Sequence, residues 1–413
     1  MSLILLFSHA WMRFRYYETF MFLHISLSIV TLVSLFVHTS IFEGQYDFYL
    51  WPVVVIWVLD RLLRLFRIVY FNFRARMSRD IVRCTETVAT YNKQSDVMRL
   101  EIRPASSDVA PEPGQFYDIY QPGTLTGWEN HPFTLGAWTG VSSGTTEVDS
   151  NEEEERKLSH SSSSSAFSET SCSSASSSYE SLIHQRSSPE VSATRSLIFW
   201  VRPYDGWTKK LRNQCLKSST KTIHPRLLLE GPYGQTHPLH SFDTVLLIAG
   251  GTGIASAVPY ILSHITHANV HSPRTTKLHL VWTARQKSFI EDLCVSELAP
   301  ALQREDFSAE FFTTRSHLDT EVSEVHDRHQ HQEQHHEQDS SLQVAPVRYP
   351  EIRHERPNIR ASILDMAAEY RQGRIAVLVC GPAGMADESR AAVVEAMKRG
   401  ARGLEYFEEA FGW

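Results

Sequence analysis

The chain has 413 residues, of which 42 % are hydrophobic, 21 % charged and 11 % aromatic, so it is neither fully disordered nor collagen-like. Its length predicts two or three domains, and its net charge of −7 argues against nucleic acid as a partner. The cysteines fall at five scattered positions: Cys84, Cys172, Cys215, Cys294 and Cys380. This spacing gives neither a disulfide framework nor a zinc-binding pattern, so we expect a reduced, cytosolic soluble part.

Two apolar stretches at the start of the chain approach the roughly 20 residues that span a bilayer. The first runs from Phe20 to Phe42 and the second from Tyr49 to Tyr70. Four charged residues lie in the last half of the second stretch: Asp60, Arg61, Arg64 and Arg67. We therefore expect two transmembrane helices, the second with an interfacial end. Arginines precede the first stretch and follow the second, so the positive-inside rule places both ends in the cytosol.

Short β-rich runs separated by turn residues occupy residues 80–139 and 196–236, and this spacing predicts an antiparallel barrel. The runs are Val97–Ile102, Gln115–Tyr120, Phe133–Trp138, Ser196–Arg202 and Arg226–Glu230. From residue 244 the pattern becomes strand, glycine loop, helix and strand, which is typical of a parallel α/β sheet. Its parts are Thr244–Ala249, Gly250–Gly253, Ile254–Ile265 and Lys277–Trp282, with a last strand at Ile375–Cys380 and a helix over 387–399.

Two low-complexity segments interrupt these patterns. Residues 140–195 are rich in serine, and residues 315–357 are rich in histidine, glutamine and glutamate. Segments this polar cannot bury enough apolar surface to fold, so both are expected to be surface insertions. The histidine-rich one is more typical of a solvated loop than of a metal site. Three domains are predicted: membrane helices over 1–72, the barrel over 75–237 and the α/β domain over 238–413.

His24 and His38 lie 14 positions apart in the first apolar stretch, on nearly the same helix face and about 21 Å apart along the axis. Ligands at this separation would place one haem in each leaflet, although each histidine could instead hydrogen-bond a neighbouring helix. Two haems with paired histidines need four ligands, and His9 is the one further candidate. We therefore expect either another helix pair upstream of Met1 or no haem at this pair.

Two motifs in the barrel could hold a cofactor. His131-Pro132-Phe133-Thr134 combines a fixed backbone, polar side chains and an apolar anchor, although a plain strand start explains it as well. Gly206-Trp207-Thr208 follows Arg202 and precedes two lysines. A glycine and a hydroxyl at a helix start, backed by cations, could seat a pyrophosphate, and a basic turn is the alternative.

Two further motifs fall in the α/β domain. Gly250, Gly251, Thr252 and Gly253 follow an apolar strand and lead into a helix, where glycines let the backbone approach a dinucleotide pyrophosphate. Arg285 follows the next strand and could pair with the 2′-phosphate of NADPH, or be a solvated loop residue. Cys380-Gly381-Pro382 ends the last predicted strand. Its thiol could sit against a nicotinamide ring, although such a cysteine more often serves packing.

In this order the motifs resemble the ferric reductase and NADPH oxidase superfamily, and its fungal ferric reductase branch in particular. Besides the motifs above, the resemblance rests on four further segments: Phe14-Arg15-Tyr16-Tyr17-Glu18, Asp60-Arg61-Leu62-Leu63-Arg64, Gly231-Pro232-Tyr233-Gly234 and Glu408-Glu409-Ala410-Phe411-Gly412-Trp413. It implies a multi-domain, ferredoxin-reductase-like fold: transmembrane helices, an antiparallel FAD-binding barrel and a parallel-sheet NADPH-binding domain. The missing earlier helices point to a chain truncated at its start.

The resemblance also implies roles for single residues. His131, Pro132, Phe133 and Thr134 would contact FAD, with Arg202, Gly206 and Thr208 beside it. The glycine loop Gly250–Gly253, Arg285, Gly381 and Pro382 would bind NADPH. Cys380 and Trp413 would be catalytic, the latter by covering the flavin face. His24 and His38 would ligate haem b.

The implied activity is that of a multi-pass plasma-membrane metalloreductase, in which NADPH reduces FAD and electrons pass outward to a ferric chelate. Membrane lipid is then a second partner, and the oligomeric state is left open. A superoxide-generating NADPH oxidase shares these motifs, although the closing Glu-Glu-x-Phe-x-Trp pattern favours the reductase. The motifs are also compatible with a haem-less membrane-anchored flavoreductase and, less well, with a non-enzymatic membrane adaptor.

Overall fold

The computed structural model describes residues 17–76, 81–106, 110–122, 131–139, 195–204, 206–270, 274–314 and 351–409, which all belong to one compact unit. Trp413 and most of both predicted insertions lie outside these ranges. A short strand, Ile352–Arg353, falls within the predicted second insertion. Ile352 of this strand pairs with Phe311 of a neighbouring strand. That insertion therefore ends earlier than the sequence indicated.

Two helices open the described chain: α1, Tyr17–Thr39, and α2, Asp47–Asn72. The hydroxyls of Ser28, Thr31 and Ser34 on α1 donate to carbonyls one turn earlier, so these three groups are satisfied within the helix. Large apolar side chains on both helices are exposed, Phe22 at 72 % and Phe48 at 76 %. By length and composition one described helix, over Thr19–Thr39, could cross a membrane. Helix α2 carries several charged residues near its end and is therefore not a candidate span by the same criteria. Among the described residues, one of the two predicted transmembrane helices is thus supported.

Antiparallel strands follow in three sheets. They are β1 Phe73–Arg76, β2 Ile81–Cys84, β3 Glu86–Asn92, β4 Val97–Arg103, β5 Gln115–Tyr120, β6 His131–Thr134, β7 Ala137–Thr139, β8 Ser196–Val201, β9 Thr222–Ile223 and β10 Leu228–Gly234. Strands β1 and β2 form a pair, the second sheet has the order β10-β5-β6, and the third has the order β7-β8-β4-β3-β9. Helix α3, Gly206–Lys217, lies between β8 and β9.

The predicted strand Phe133–Trp138 is two strands rather than one. The Leu135 N–H donates to Gln115 of β5, whereas the Gly136 N–H donates to Ile198 of β8. The chain therefore leaves one sheet and joins the other at these two residues. A Cβ atom at Gly136 would lie 2.5 Å from the Trp200 ring, so this crossing requires a glycine.

The second half of the chain forms a six-stranded parallel sheet in the order β14-β13-β12-β11-β15-β16. Its strands are β11 Thr244–Gly250, β12 Lys277–Ala284, β13 Phe307–Thr313, β14 Ile352–Arg353, β15 Ile375–Cys380 and β16 Leu404–Glu408. Its helices are α4 Ile254–Val270, α5 Lys287–Val295, α6 Ala299–Leu302, α7 Ile359–Glu369 and α8 Ala383–Lys398. The predicted last strand, β15, is thus followed by one more strand, β16. This strand was not predicted, because its two glutamates interrupt the apolar pattern.

Strand β11 lies between β12 and β15, so the strand order reverses beside it. Leu247 faces one hydrophobic core and Leu246 the other, which explains why β11 is apolar along its whole length. In sheets of this kind ligands bind at the carboxyl ends of the strands where the order reverses. This rule places the expected site at Gly250 and Cys380, the last residues of β11 and β15.

The antiparallel and parallel parts share a core. Ile198 and Trp200 of β8 belong to the same buried cluster as Ala255 and Val258 of α4. An ion pair between Arg99 and Glu297, with N and O 2.5 Å apart, links the two parts at a second place. The two parts therefore pack directly against each other within the compact unit.

Candidate functional site

The glycine loop and the Cys380-Gly381-Pro382 segment lie against each other. A Cβ atom at Gly250 would lie 2.7 Å from the Pro382 ring, and one at Gly253 would collide with the backbone carbonyl of Cys380. The Trp282 indole N–H holds the loop from the other side by donating to the Gly251 carbonyl over 3.1 Å. The loop runs directly into α4, so the start of this helix lies beside the carboxyl ends of β11 and β15.

Gly251 is the open point of this loop. Its φ is +58°, a backbone conformation that favours glycine, and no atom lies within 4 Å of the Cβ position. Gly250 and Gly253 are therefore closely packed, while Gly251 leaves room for a ligand to approach the backbone. This is the arrangement that a dinucleotide phosphate needs.

Cys380 closes the bottom of the crevice. Its side chain is only 9 % exposed, and burial raises the pKa of its thiol to about 11. The thiol is consequently protonated at neutral pH and is a poor nucleophile. It can pack against a flat ligand or donate a weak hydrogen bond, but it does not offer a reactive thiolate.

A carboxyl group stands beside this thiol. Glu409 follows β16, its N–H donates to the Val379 carbonyl over 2.9 Å, and its side chain is only 10 % exposed. Burial raises the pKa of Glu409, and the hydroxyls of Ser256 and Tyr260 partly oppose that rise. This carboxyl group therefore keeps its proton to a higher pH than an exposed glutamate does.

Two residues of this group were not identified from the sequence. Ser256 and Tyr260 lie four positions apart on α4, so they share one face of the helix. Tyr260 donates to Glu409 over 3.4 Å and accepts the His237 N–H over 3.0 Å. Their spacing directly after a glycine loop is the signal that could have found them.

Replacing Glu409 with glutamine should change how stability depends on pH. A raised pKa in the folded state means that the stability contributed by Glu409 is present below its unfolded pKa of about 4.3 and is lost as pH rises through the folded value. We therefore expect the variant to gain stability relative to the wild type between pH 4 and pH 8, measured as the midpoint of urea unfolding.

Glu395→Gln is the matched control for this prediction. The exposed Arg360 lowers the pKa of Glu395, so its contribution is present above the unfolded pKa and is lost as pH falls. The control should therefore lose stability relative to the wild type as pH rises. If the urea midpoint of Glu409→Gln changes with pH in the same direction as that of the control, the pKa of Glu409 is not raised in the folded protein.

The HPFT strand β6, His131–Thr134, and the start of α3 meet at Trp207. The Phe133 ring stands edge-on to Trp207, with centroids 5.8 Å apart, and the His131 ring lies 6.1 Å away. Trp207 is 3 % exposed, and its indole N–H has no acceptor among the described residues. Thr134 pairs with Phe116 at the far end of the strand. The two barrel motifs predicted from the sequence therefore adjoin each other.

Arg202 links this region to the parallel sheet. Its guanidinium donates to the side-chain amide oxygen of Gln286 over 2.6 Å, and its buried Nε has no partner in the part of the chain that the structure describes. Gln286 follows Arg285, whose side chain is exposed just beyond the carboxyl end of β12. Arg202, predicted to lie beside FAD, therefore contacts the residue that follows Arg285, which is predicted to bind NADPH.

The antiparallel and parallel parts of the site are joined through Gly114. A Cβ atom at Gly114 would lie 2.9 Å from the Tyr260 hydroxyl, and the next two residues lie beside Thr134 and Leu135. A short series of contacts therefore leads from Thr134 through Tyr260 to Glu409. Trp413, predicted to cover this region, lies outside the described residues.

The predicted haem ligands His24 and His38 remain separate on α1. The His24 ring lies tilted against Phe20 with centroids 5.4 Å apart, and its buried Nδ1 has no hydrogen-bond partner among the described residues. His38 is exposed near the end of the helix. Across the described ranges no three histidine, cysteine or acidic side chains come together to hold a metal ion.

Comparison with known proteins gives a consistent set of relatives. Residues 242–394 match the family model of the ferric reductase NAD-binding domain. The whole chain is 23 % identical to ferric reductase transmembrane component 6 of Saccharomyces cerevisiae and covers 48 % of that protein. It is 28 % identical, over 68 % of its length, to 30 % of a probable cell surface ferric reductase of Aspergillus oryzae. The chain thus spans about half or less of the length of these curated relatives.

Among solved structures, similarity is found to the CS-b5R domains of human Ncb5or in their NAD⁺ form. The identity is 12 %, over 80 % of this chain and 74 % of that chain, with a TM-score of 0.42. A similarity with this TM-score supports no conclusion about the ligands of this chain.

Proposed function

We propose that this chain binds NADPH and FAD and passes electrons from NADPH to ferric iron at a membrane, because residues 242–394 match the ferric reductase NAD-binding domain and the chain is similar to fungal ferric reductases. The observation that carries the proposal is the meeting of the glycine loop, Cys380 and Glu409 in one crevice. A short series of contacts connects that crevice to the HPFT strand.

The nucleotide half of the proposal rests on the crevice at the ends of β11 and β15. Gly250–Gly253 and the start of α4 would hold the pyrophosphate of NADPH, with Gly381 and Pro382 as the opposite wall. The neutral thiol of Cys380 would lie against the nicotinamide without reacting with it. Arg285, exposed at the rim, would pair with the 2′-phosphate.

The flavin half rests on unpaired donors. The Trp207 N–H and the Arg202 Nε are buried without acceptors in the described part of the chain, and such groups are costly unless a ligand satisfies them. An FAD has carbonyl and phosphate oxygens to fill both needs, so the residues present fit this group. Once bound, FAD accepts a hydride from NADPH and releases electrons one at a time.

The haem part of the proposal rests on two histidines of α1. His24 and His38 lie on the described helix that could cross a membrane, and the unpaired Nδ1 of His24 fits a histidine that serves as a ligand. Each haem would still require a second axial ligand beyond this pair. We propose haem b at these positions in a multi-pass protein of the plasma membrane, with the soluble parts in the cytosol. Trp413 is proposed to cover the flavin.

Anaerobic absorbance spectra of the purified full chain provide the test. Addition of NADPH should bleach the flavin absorbance near 450 nm, and unchanged flavin absorbance would contradict the proposal and favour the adaptor. Comparing ferric-chelate reduction with oxygen reduction separates a metalloreductase from a superoxide-generating oxidase. A Soret band that disappears in His24→Ala and His38→Ala would distinguish a haem protein from a haem-less flavoreductase.

Arg285→Ala should shift the preference between the two pyridine nucleotides. A charge-assisted hydrogen bond contributes about 1.5–3 kcal/mol, so the KM for NADPH should rise about tenfold or more while that for NADH stays unchanged. Lys287→Ala is the matched control, because Lys287 is a neighbouring exposed cation already paired with Glu291 at 2.9 Å. Equal effects on NADPH and NADH would show that Arg285 does not contact the 2′-phosphate.

A further inference from the structure

The last residue of α2 is bound into the sheet that carries the HPFT strand. Asn72 is fully buried, and its side-chain NH₂ donates to the Leu229 carbonyl over 2.7 Å and to the Ile68 carbonyl over 2.8 Å. Its carbonyl oxygen accepts from the Leu229 N–H and from the Thr85 hydroxyl, each over 2.9 Å. All four hydrogen-bonding positions of this amide are therefore used.

The hydrogen bonds of Asn72 connect α2 to strand β10. Leu229 lies on β10, the edge of the sheet ordered β10-β5-β6, and Asn72 pairs with both of its backbone groups. The amide thus continues the ladder beyond the edge strand. Along the same row Leu229 pairs with Ile119, and Ile119 pairs with His131. At roughly 4.8 Å per strand, about 10 Å of paired backbone separates Leu229 from His131.

A second contact joins α2 to the adjacent residue of β10. Glu230 is fully buried and accepts hydrogen bonds from the hydroxyls of Tyr120 and Tyr233. Arg64 of α2 approaches the Glu230 carboxylate to 4.0 Å, and the Arg67 guanidinium lies 4.6 Å from the centre of the Tyr233 ring. A buried carboxylate needs such a partner, because an unpaired charge inside a protein is costly.

We propose that Asn72 and Glu230 are positioning residues for electron transfer from a flavin at the sheet β10-β5-β6 to the helices α1 and α2. Neither residue belongs to the proposed cofactor sites. Together they hold β10, and through β5 the HPFT strand, at a fixed distance and orientation from the end of α2. This inference rests on the proposed function, since it concerns the passage of electrons toward the membrane.

The test uses the full chain in lipid vesicles, with NADPH outside and a membrane-impermeant ferric chelate enclosed inside. A water-soluble dye added outside takes electrons directly from the flavin. Asn72→Ala and Glu230→Gln should lower reduction of the enclosed chelate about tenfold or more, because misplacement by about 1 Å can cost up to about 10²-fold in rate. Dye reduction and the KM for NADPH should stay within about twofold of wild type.

A second readout is independent of activity. Hydrogen exchange at the Leu229 N–H should become faster in Asn72→Ala, because its acceptor is removed. Asn358→Ala is the matched control for Asn72, since Asn358 caps α7 by accepting the Ala361 N–H over 3.0 Å and lies in the parallel-sheet part. Glu395→Gln is the control for Glu230. Both controls should leave the ratio of chelate to dye reduction unchanged.

Arg64→Gln serves if a buried substitution prevents folding, since the Arg64 side chain is 41 % exposed. It should lower the same ratio by a smaller factor. The inference is overturned if chelate and dye reduction fall together, if the ratio is unchanged, or if the wild type reduces the dye but not the enclosed chelate. A wild type that does not oxidise NADPH with the dye would instead contradict the proposed function.

Discussion

Replacing Gly253 with valine should abolish reduction of the flavin by NADPH. A side chain at this position would collide with the backbone carbonyl of Cys380 and would bring its first carbon within 3.0 Å of the Cys380 sulfur. Backbone atoms cannot move out of the way as a flexible side chain can, so the glycine loop and the end of β15 would have to separate at the point where the nucleotide is proposed to bind. We expect at least about a 10²-fold lower rate of flavin bleaching in stopped-flow measurements.

The same substitution should lower the free energy of unfolding by about 1–3 kcal/mol, the usual cost of overpacking. Gly384→Ala is the control for this stability effect, because no atom lies within 4 Å of its Cβ position. Alanine is the better helix former at this position of α8, so the control should gain up to about 1 kcal/mol. A Gly253→Val enzyme that reduces its flavin at the wild-type rate would show that the crevice is not the nucleotide site.

Trp207→Ala should release the flavin and destabilise the antiparallel part of the protein. The ring is buried between Phe133 and His131, and truncating a buried tryptophan to alanine costs about 3–5 kcal/mol. The cavity would open directly beneath the HPFT strand. Bound FAD per chain, measured by absorbance after gel filtration, should fall to a small fraction of the wild-type value, and the urea midpoint should fall with it.

Trp207→Phe separates packing from hydrogen bonding. It keeps an aromatic ring but removes the buried N–H that lacks an acceptor, so we expect about a tenfold weaker affinity for FAD and a loss of stability below about 1.5 kcal/mol. Trp138→Phe is the control, because Trp138 packs against the same core from its edge. If Trp207→Phe binds FAD as tightly as the wild type, the indole N–H does not face the flavin.

The elements that the sequence predicted best are those with an unbroken local pattern. Strands β5 and β15 have the bounds predicted for them, Gln115–Tyr120 and Ile375–Cys380. β15 is an unbroken apolar run, and β5 is a short run rich in aromatic and β-branched residues that begins directly after Gly114. The break at Leu135 and Gly136 was not predicted. It depends on hydrogen bonds to Gln115 and Ile198, and such distant partners leave no trace in a local run of residues.

The candidate site follows the same division. Motifs contiguous in sequence, such as the glycine loop and Cys380-Gly381-Pro382, were identified directly. Tyr260, Gln286 and Asn72 were not, since each acts through a contact with another element: Glu409, Arg202 and Leu229, respectively. A single polar side chain has no distinguishing neighbours along the chain. Its importance becomes visible when the fold brings its partner next to it.

The pairing of Thr139 with Ser196, at the facing ends of β7 and β8, has an evolutionary consequence. Residues 140–195 depart from and return to adjacent points on one ladder, so their number does not alter the geometry of the sheet. Closing a loop twice as long costs only about 0.6 kcal/mol more. Selection can therefore lengthen, shorten or exchange this segment while the pairing of β7 with β8 stays the same.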